Sequence, residues 1–143
     1  MKFMHWNNEK MAVGIKLIDD QHKEFLKIIN KLSTSIHRHS QKKDIVTIVD
    51  ELINYATYHF ETEEKLFEKF QFEEIDNHKK EHELFHSKFL ELKDRISNNE
   101  LYLKKHAIDV ASDTFQFIIN WFLEHIVVSD KKYVQLLKDN GIK

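Results

Sequence analysis

Apolar residues recur along most of the chain at intervals of three and four, the period of a helix with one buried face. From Asp19 and Asp20, residue types suited to capping a helix N-terminus, Phe25, Leu26, Ile29, Leu32 and Ile36 carry a first stripe to about His37. The polar run His39-Ser40-Gln41-Lys42-Lys43-Asp44 reads as a turn. A second helix places Ile45, Ile48, Val49, Leu52, Ala56, His59, Glu63, Leu66 and Phe70 on one stripe. A turn near Gln71–Glu74 leads to a third, with inner positions Ile75, His78, His82, Phe85, Phe89, Leu92 and Ile96, and Ser97-Asn98-Asn99 breaks it. The fourth repeats the pattern with Ala107, Ala111, Thr114, Ile118, Trp121, His125 and Val128. Residues 1–18 read as an irregular arm offering Met4, Trp6, Met11, Val13 and Ile15 for packing. Lys131–Lys138 reads as a short helix closing near Asn140-Gly141. Four long helices with short connections predict an all-α fold: an antiparallel up-down-up-down four-helix bundle with an irregular N-terminal arm and a short C-terminal helix. One domain over residues 1–143 is expected.

Composition supports helices and narrows the chemistry. The chain has no proline and two glycines, Gly14 and Gly141, too few for the turns of a β-rich fold. Net charge is −2, so no basic field attracts nucleic acid. Apolar runs are short and interrupted by charges, so no membrane span is expected. Met1–Lys10 carries no apolar core of a signal peptide, and a cytoplasmic location is expected. The chain has no cysteine, which excludes disulfides, thiolate zinc sites, iron–sulfur clusters and a cysteine nucleophile. Any metal must be held by nitrogen and oxygen.

The ten histidines therefore matter by position. His59 and Glu63 lie four apart on the second stripe, His78 and His82 four apart on the third, and His125 on the fourth. Residues four apart stack on one helix face. A buried carboxylate without a partner is costly, several kcal/mol after relaxation, and a metal ion would be a partner common to all of them. In an up-down bundle His22, Glu63, His82 and His125 all approach the same end; Glu63 and His82 lie roughly 15 and 14 Å of helical rise from it. Asp130 is about 500° of rotation beyond His125, some 140° off its face. It joins the layer only if the helix unwinds around Val127–Ser129, and such an irregularity is expected. Five histidines and two carboxylates exceed the capacity of one six-coordinate ion. Two ions sharing both carboxylates and a solvent-derived oxygen bridge divide the histidines as three and two, leaving one ion five-coordinate. Iron, manganese and zinc all suit imidazole with carboxylate.

These residues resemble those of the hemerythrins, most closely the single-domain bacterial ones. The matching elements are Gly14 with Ile18-Asp19-Asp20-Gln21-His22, His59-Phe60-Glu61-Thr62-Glu63-Glu64, His78-Lys79-Lys80-Glu81-His82, and Trp121-Phe122-Leu123-Glu124-His125-Ile126 with Asp130 five residues on. The likeness spans about residues 4–132. The resemblance implies two iron ions per chain with a bridging oxo or hydroxo group. His78, His82 and His125 would hold one ion, His22 and His59 the other, with Glu63 and Asp130 bridging. It further implies reversible binding of O2 as a ligand, for oxygen storage, delivery or sensing, in a protein that is not an enzyme. The family's apolar oxygen pocket maps to Phe60, Trp121 and Phe122, with Leu26 and Ile29 nearby. Phe122 departs from the leucine more usual there, and its bulk would narrow the pocket.

The remaining histidines read differently. His5, His37, His39 and His106 fall in termini, turns or polar faces and are expected to face solvent, as are Glu64, Glu81 and Glu124 beside the ligands. His86 lies off the seam, a candidate outer partner rather than a ligand. The rival function is a di-iron redox or stress-response protein acting on O2, peroxide or nitric oxide, including iron-centre repair; metal sequestration is a third. A site with five neutral imidazoles and two carboxylates favours reversible binding over the strongly oxidising chemistry of carboxylate-rich ferritin-like sites. The expected partners are dioxygen and, as recipients, oxygen-requiring enzymes. A monomer is favoured.

Overall fold

The computed structural model describes residues 4–38, 40–97 and 107–143. Its elements are α1 (Asn8–Met11), α2 (Lys16–His37), α3 (Lys42–Phe70), α4 (Ile75–Ser97) and α5 (Ala107–Glu124), then a π-helical turn (His125–Ser129), a 3-10 turn (Asp130–Tyr133) and α6 (Val134–Asp139). No strand occurs among the described residues, and no helix is long and apolar enough to cross a membrane.

Helix ends follow from local chemistry. α6 closes as a Schellman turn, with Ile142 N–H bonded to Leu137 O at 3.0 Å, Gly141 N–H to Lys138 O at 3.0 Å, and Gly141 at φ 82°. The terminus expected at Asn140-Gly141 is thus observed. α3 ends on Gln71 in the left-handed region at φ 56°, a conformation that costs a side-chain-bearing residue about 1 kcal/mol. The next residue, Phe72, is buried against Phe67 with ring centroids 5.0 Å apart, and this contact offsets the strain. The start of α2 corrects the expectation for Asp19 and Asp20. The helix begins at Lys16 with Ile15 at the cap position. Asp19, inside the first turn, reaches back to accept from Val13 N–H at 2.7 Å and Gly14 N–H at 3.1 Å. The arm is also less irregular than expected, since Asn7 caps α1 by accepting from Lys10 N–H.

Contacts between neighbouring helices set their direction. On α2 and α3, His22 faces His59 and Lys31 pairs with Glu51. On α3 and α4, Glu68 pairs with Lys79 and Asp50 with Lys93. On α4 and α5, Lys88 lies over Phe117 while Glu81 meets Ser129 just beyond α5. In every pair one sequence number rises as the other falls. Phe25 and Phe122, 5.1 Å apart, return α5 to α2 and complete a four-helix bundle.

Two apolar clusters fill it. The larger includes Phe25, Ile29, Leu32, Val49, Leu52, Phe85, Phe89, Leu92, Ile118 and Phe122; the smaller comprises Val13, Ile15, Ile18, Phe67, Phe72, Tyr133 and Leu137. Each such side chain contributes roughly 1.5–3 kcal/mol when fully buried. Phe67, rather than Leu66 or Phe70, is the fully buried residue near the end of α3. Val128, expected on the fourth stripe, is 53% exposed. The π turn advances the phase, so Ile126 and Ser129 face inward instead. The expected inner positions Ile96, Ala107, Ala111 and Thr114 have side chains outside the described residues, as have the expected exposed His39 and His106 and the break at Asn98 and Asn99.

Asp19 thus ties the arm to the first long helix. Asp19→Ala is expected to lower stability by about 1–3 kcal/mol through loss of two charge-assisted hydrogen bonds, read as a shift in the urea midpoint. An unchanged midpoint would contradict this role.

Candidate metal centre

The seven candidate donors come from three helices and the turns that follow α5. α2 carries His22, α3 carries His59 and Glu63, and α4 carries His78 and His82, the last two pairs spaced four apart. His125 opens the π turn and Asp130 follows it. An α-helix would turn Asp130 away. The wider turn, closed by the Asp130 N–H bonded to His125 O, brings it back beneath His125, where Asp130 Oδ1 lies 3.0 Å from His125 Nε2. Single π turns of this kind recur at functional sites. The irregularity expected around Val127–Ser129 lies within this turn.

All seven side chains are at least 96% buried. Their donor atoms converge in two overlapping groups, Glu63 with His78, His82 and His125, and Glu63 with His22, His59 and Asp130. Within each group the atoms lie within 4.8 Å of one another. Glu63 Oε1 is 3.2 Å from both His59 Nε2 and His82 Nε2, and its Oε2 is 3.9 Å from His78 Nε2. Asp130 Oδ1 is 3.0 Å from His78 Nε2, and Oδ2 is 2.9 Å from His22 Nε2. His22 Nε2 and His59 Nε2 approach to 3.1 Å.

Close as they are, these atoms do not satisfy one another. Glu63 Oε1, both oxygens of Asp130, and the Nε2 atoms of His78, His82 and His125 are buried without an aligned hydrogen-bond partner. Each such orphan costs about 1–3 kcal/mol, more for a charged group. A cation at the point on which they converge would satisfy them together. Five imidazoles and two carboxylates, with no sulfur, fit a non-haem metal site.

The sequence model of the Hemerythrin HHE cation binding domain matches residues 13–137. The chain belongs to the hemerythrin family. A bacteriohemerythrin of Pseudomonas aeruginosa is 30% identical over 141 residues, covering 96% of this chain and 84% of its own. One from Methylococcus capsulatus is 28% identical over 133 residues, covering 93% and 95%. A crystal structure of wild-type hemerythrin superposes with a TM-score of 0.81 at 26% identity, covering 95% of this chain and 98% of that one.

Around the seven residues of this hemerythrin-family chain lies a set of outer contacts. Tyr133 Oη donates to Glu63 Oε2 at 2.6 Å. Gln21 Oε1 faces His59 Nδ1 at 2.7 Å. Glu64 Oε2 lies 3.5 Å from His82 Nδ1, and Glu81 Oε2 lies 3.3 Å from His125 Nδ1. Glu64 and Glu81 are therefore not simply solvated neighbours, a correction to the reading from sequence. Glu124, by contrast, is exposed, as are His5 and His37. His86 is half-buried and joins neither donor group. Phe60 stacks on His82 with centroids 3.9 Å apart, and Trp121 on His125 at 4.4 Å. Phe122 meets His22 edge-on at 6.3 Å, while Leu26 and Ile29 sit in the main core cluster. Gln21, Tyr133 and the Phe25 ring, 6.2 Å from His59, were not singled out from sequence as parts of the site. Their positions follow from packing between helices that are distant in sequence.

The layer is strongly coupled electrostatically. Burial opposes charge on His125, but the Asp130 carboxylate outweighs it, with Glu81 and Glu63 adding, and raises its pKa to about 10. Burial and the Asp130 charge both push Glu63 upward, yet the surrounding imidazoles hold it below the usual carboxylate range. Burial likewise opposes Asp130, and His125, His22 and His78 hold it well below its ordinary value. His59 goes the other way, with burial lowering its pKa. Tyr133 is raised well above 10.0 by burial and by both carboxylates, so it remains a donor to Glu63.

In the metal-free protein the raised His125 contributes stability that is fully present below about pH 6.5, its ordinary value, and lost as pH rises toward 10. Chelator-treated protein is therefore expected to show a denaturation midpoint that declines from pH 6.5 to 10. Added metal, which would compete with that proton for the His125 donor, is expected to flatten the decline. A flat profile without metal would contradict the coupling.

Proposed function

We propose that the chain, acting as a single domain over residues 1–143, holds two iron ions and binds dioxygen reversibly at them. His78, His82 and His125 would hold one ion, His22 and His59 the other, and Glu63 and Asp130 both. The observation that carries this reading is the division of the buried donors into two groups that share Glu63. Were both carboxylates shared and an oxo or hydroxo bridge present, the three-histidine ion would have six donors and the two-histidine ion five, which would leave a place for a small ligand. A pair of ferrous ions supplies the two electrons needed to hold dioxygen reversibly.

The protein's own part is to position and to exclude. Glu63 is fixed by the Tyr133 hydroxyl, and His59 by Gln21. Phe60 and Trp121 cover the rings of His82 and His125, and Phe122 lies beside His22. With Leu26 and Ile29 these rings form the dry wall of the ligand pocket, keeping out water that would promote irreversible oxidation. Five imidazole donors against two carboxylates favour reversible binding over strongly oxidising chemistry, which supports a binder for storage, delivery or sensing rather than an enzyme. The relatives named bacteriohemerythrin support the same assignment.

Optical titration of anaerobic, reduced, iron-loaded protein with O2, followed by purging with argon, tests this. A visible charge-transfer band that forms with O2 and disappears on purging is expected. Rapid conversion to a stable diferric form, with peroxide released or consumed, would overturn the proposal in favour of a redox or stress-response role.

A further inference from the structure

Glu81 reaches from α4 to both ends of the π-helical turn. Its Oε1 accepts from the Ser129 hydroxyl at 2.8 Å, and its Oε2 lies 3.3 Å from His125 Nδ1, an ion-pair contact that is not aligned as a hydrogen bond. His125 and Ser129 are the first and last residues of that turn. Ser129 is 6% exposed, so its hydroxyl has little recourse to water. The other outer contacts differ in kind. Gln21 holds only the His59 ring and Glu64 only the His82 ring. Glu81 alone among these three uses two oxygens on two residues of another element.

A π turn is an uncommon wind, found mostly as a single turn within a helix and often at functional sites. We propose that Glu81 is a positioning residue that staples this turn to α4. By tying His125 and Ser129 to one carboxylate it fixes the length of chain between them, and so sets Asp130 beneath His125. The same carboxylate, facing Nδ1, turns the His125 ring so that Nε2 points into the layer. Because Glu81 is partly open to solvent, its charge alone is a weak tether. The simultaneous use of both oxygens makes it a geometric one. The effect on the turn stands independently of any ion, whereas the effect on ion binding rests on the metal-centre reading above.

The test combines hydrogen exchange of the metal-free protein with binding of zinc ion alone, for wild type, Glu81→Ala, Glu81→Gln and Ser129→Ala. The Asp130 amide, bonded to His125 O, is the reporter. Glu81→Ala and Ser129→Ala are expected to speed its exchange about tenfold or more while core amides such as Ile29 keep their rates. Glu81→Gln is expected to restore most of the protection, since its carboxamide can accept from His125 and donate to Ser129. Glu81→Ala is expected to weaken zinc binding by about 10- to 100-fold. Unchanged Asp130 exchange in Glu81→Ala, or equal acceleration at Ile29, would overturn the staple. If wild type takes up no metal while Glu81→Ala still loosens the turn, the staple holds and the metal-centre reading fails. Should Glu81→Ala not fold, Ser129→Ala decides through the other half of the contact: local loosening supports the proposal and no change overturns it.

Discussion

Glu63 and Asp130 are both fully buried, and among the described residues every ion pair they make is with a histidine. In a low-dielectric interior two such carboxylates repel each other and lose their hydration, at several kcal/mol per charge. Five imidazoles gathered around them reduce that penalty without removing it, because many of the facing atoms lack hydrogen-bond alignment. The layer is therefore a place where the fold is incomplete on its own terms and which a cation would complete. The helix directions, the two apolar clusters on either side of the layer and the break after α5 all serve to keep these seven groups together. Binding energy gained there becomes folding stability for the metal-loaded state.

That dependence explains why irregular structure sits where it does. Among the described residues, two departures from regular helix lie at the end of the bundle that carries the donors. Gln71 adopts a left-handed conformation to return α4 to the layer, and the π turn returns Asp130. Both are locally unfavourable; Phe72 packs on Phe67 beside the first, and Glu81 accepts from Ser129 at the second. Strain of this kind persists only where surrounding structure over-determines it.

Much of the site was legible in the sequence because helical periodicity is rigid. His59 with Glu63 and His78 with His82 had to share faces, and the rotation from His125 to Asp130 required a break that the structure contains. Counting donors pointed to two ions but left the metal open; the resemblance to the hemerythrins implied iron and which histidines would hold each ion. Tertiary contacts were not legible. Asp19 looked like a cap at the start of a helix but works from within the first turn, since the stripe does not reveal that α2 begins at Lys16. Glu81 looked solvated because its neighbours are charged, whereas its partners lie 44 and 48 residues away, on the far side of a break whose phase shift also exposes Val128. Tyr133 reaches Glu63 across a separation of 70 residues, which no local pattern encodes.

The central claim, that one buried layer holds two ions between shared carboxylates, is tested most directly by anomalous diffraction at the iron edge from crystals of iron-loaded protein. Two peaks of comparable height are expected between Glu63 and Asp130, one bounded by His78, His82 and His125 and the other by His22 and His59. A single peak, or peaks outside that layer, would contradict the account.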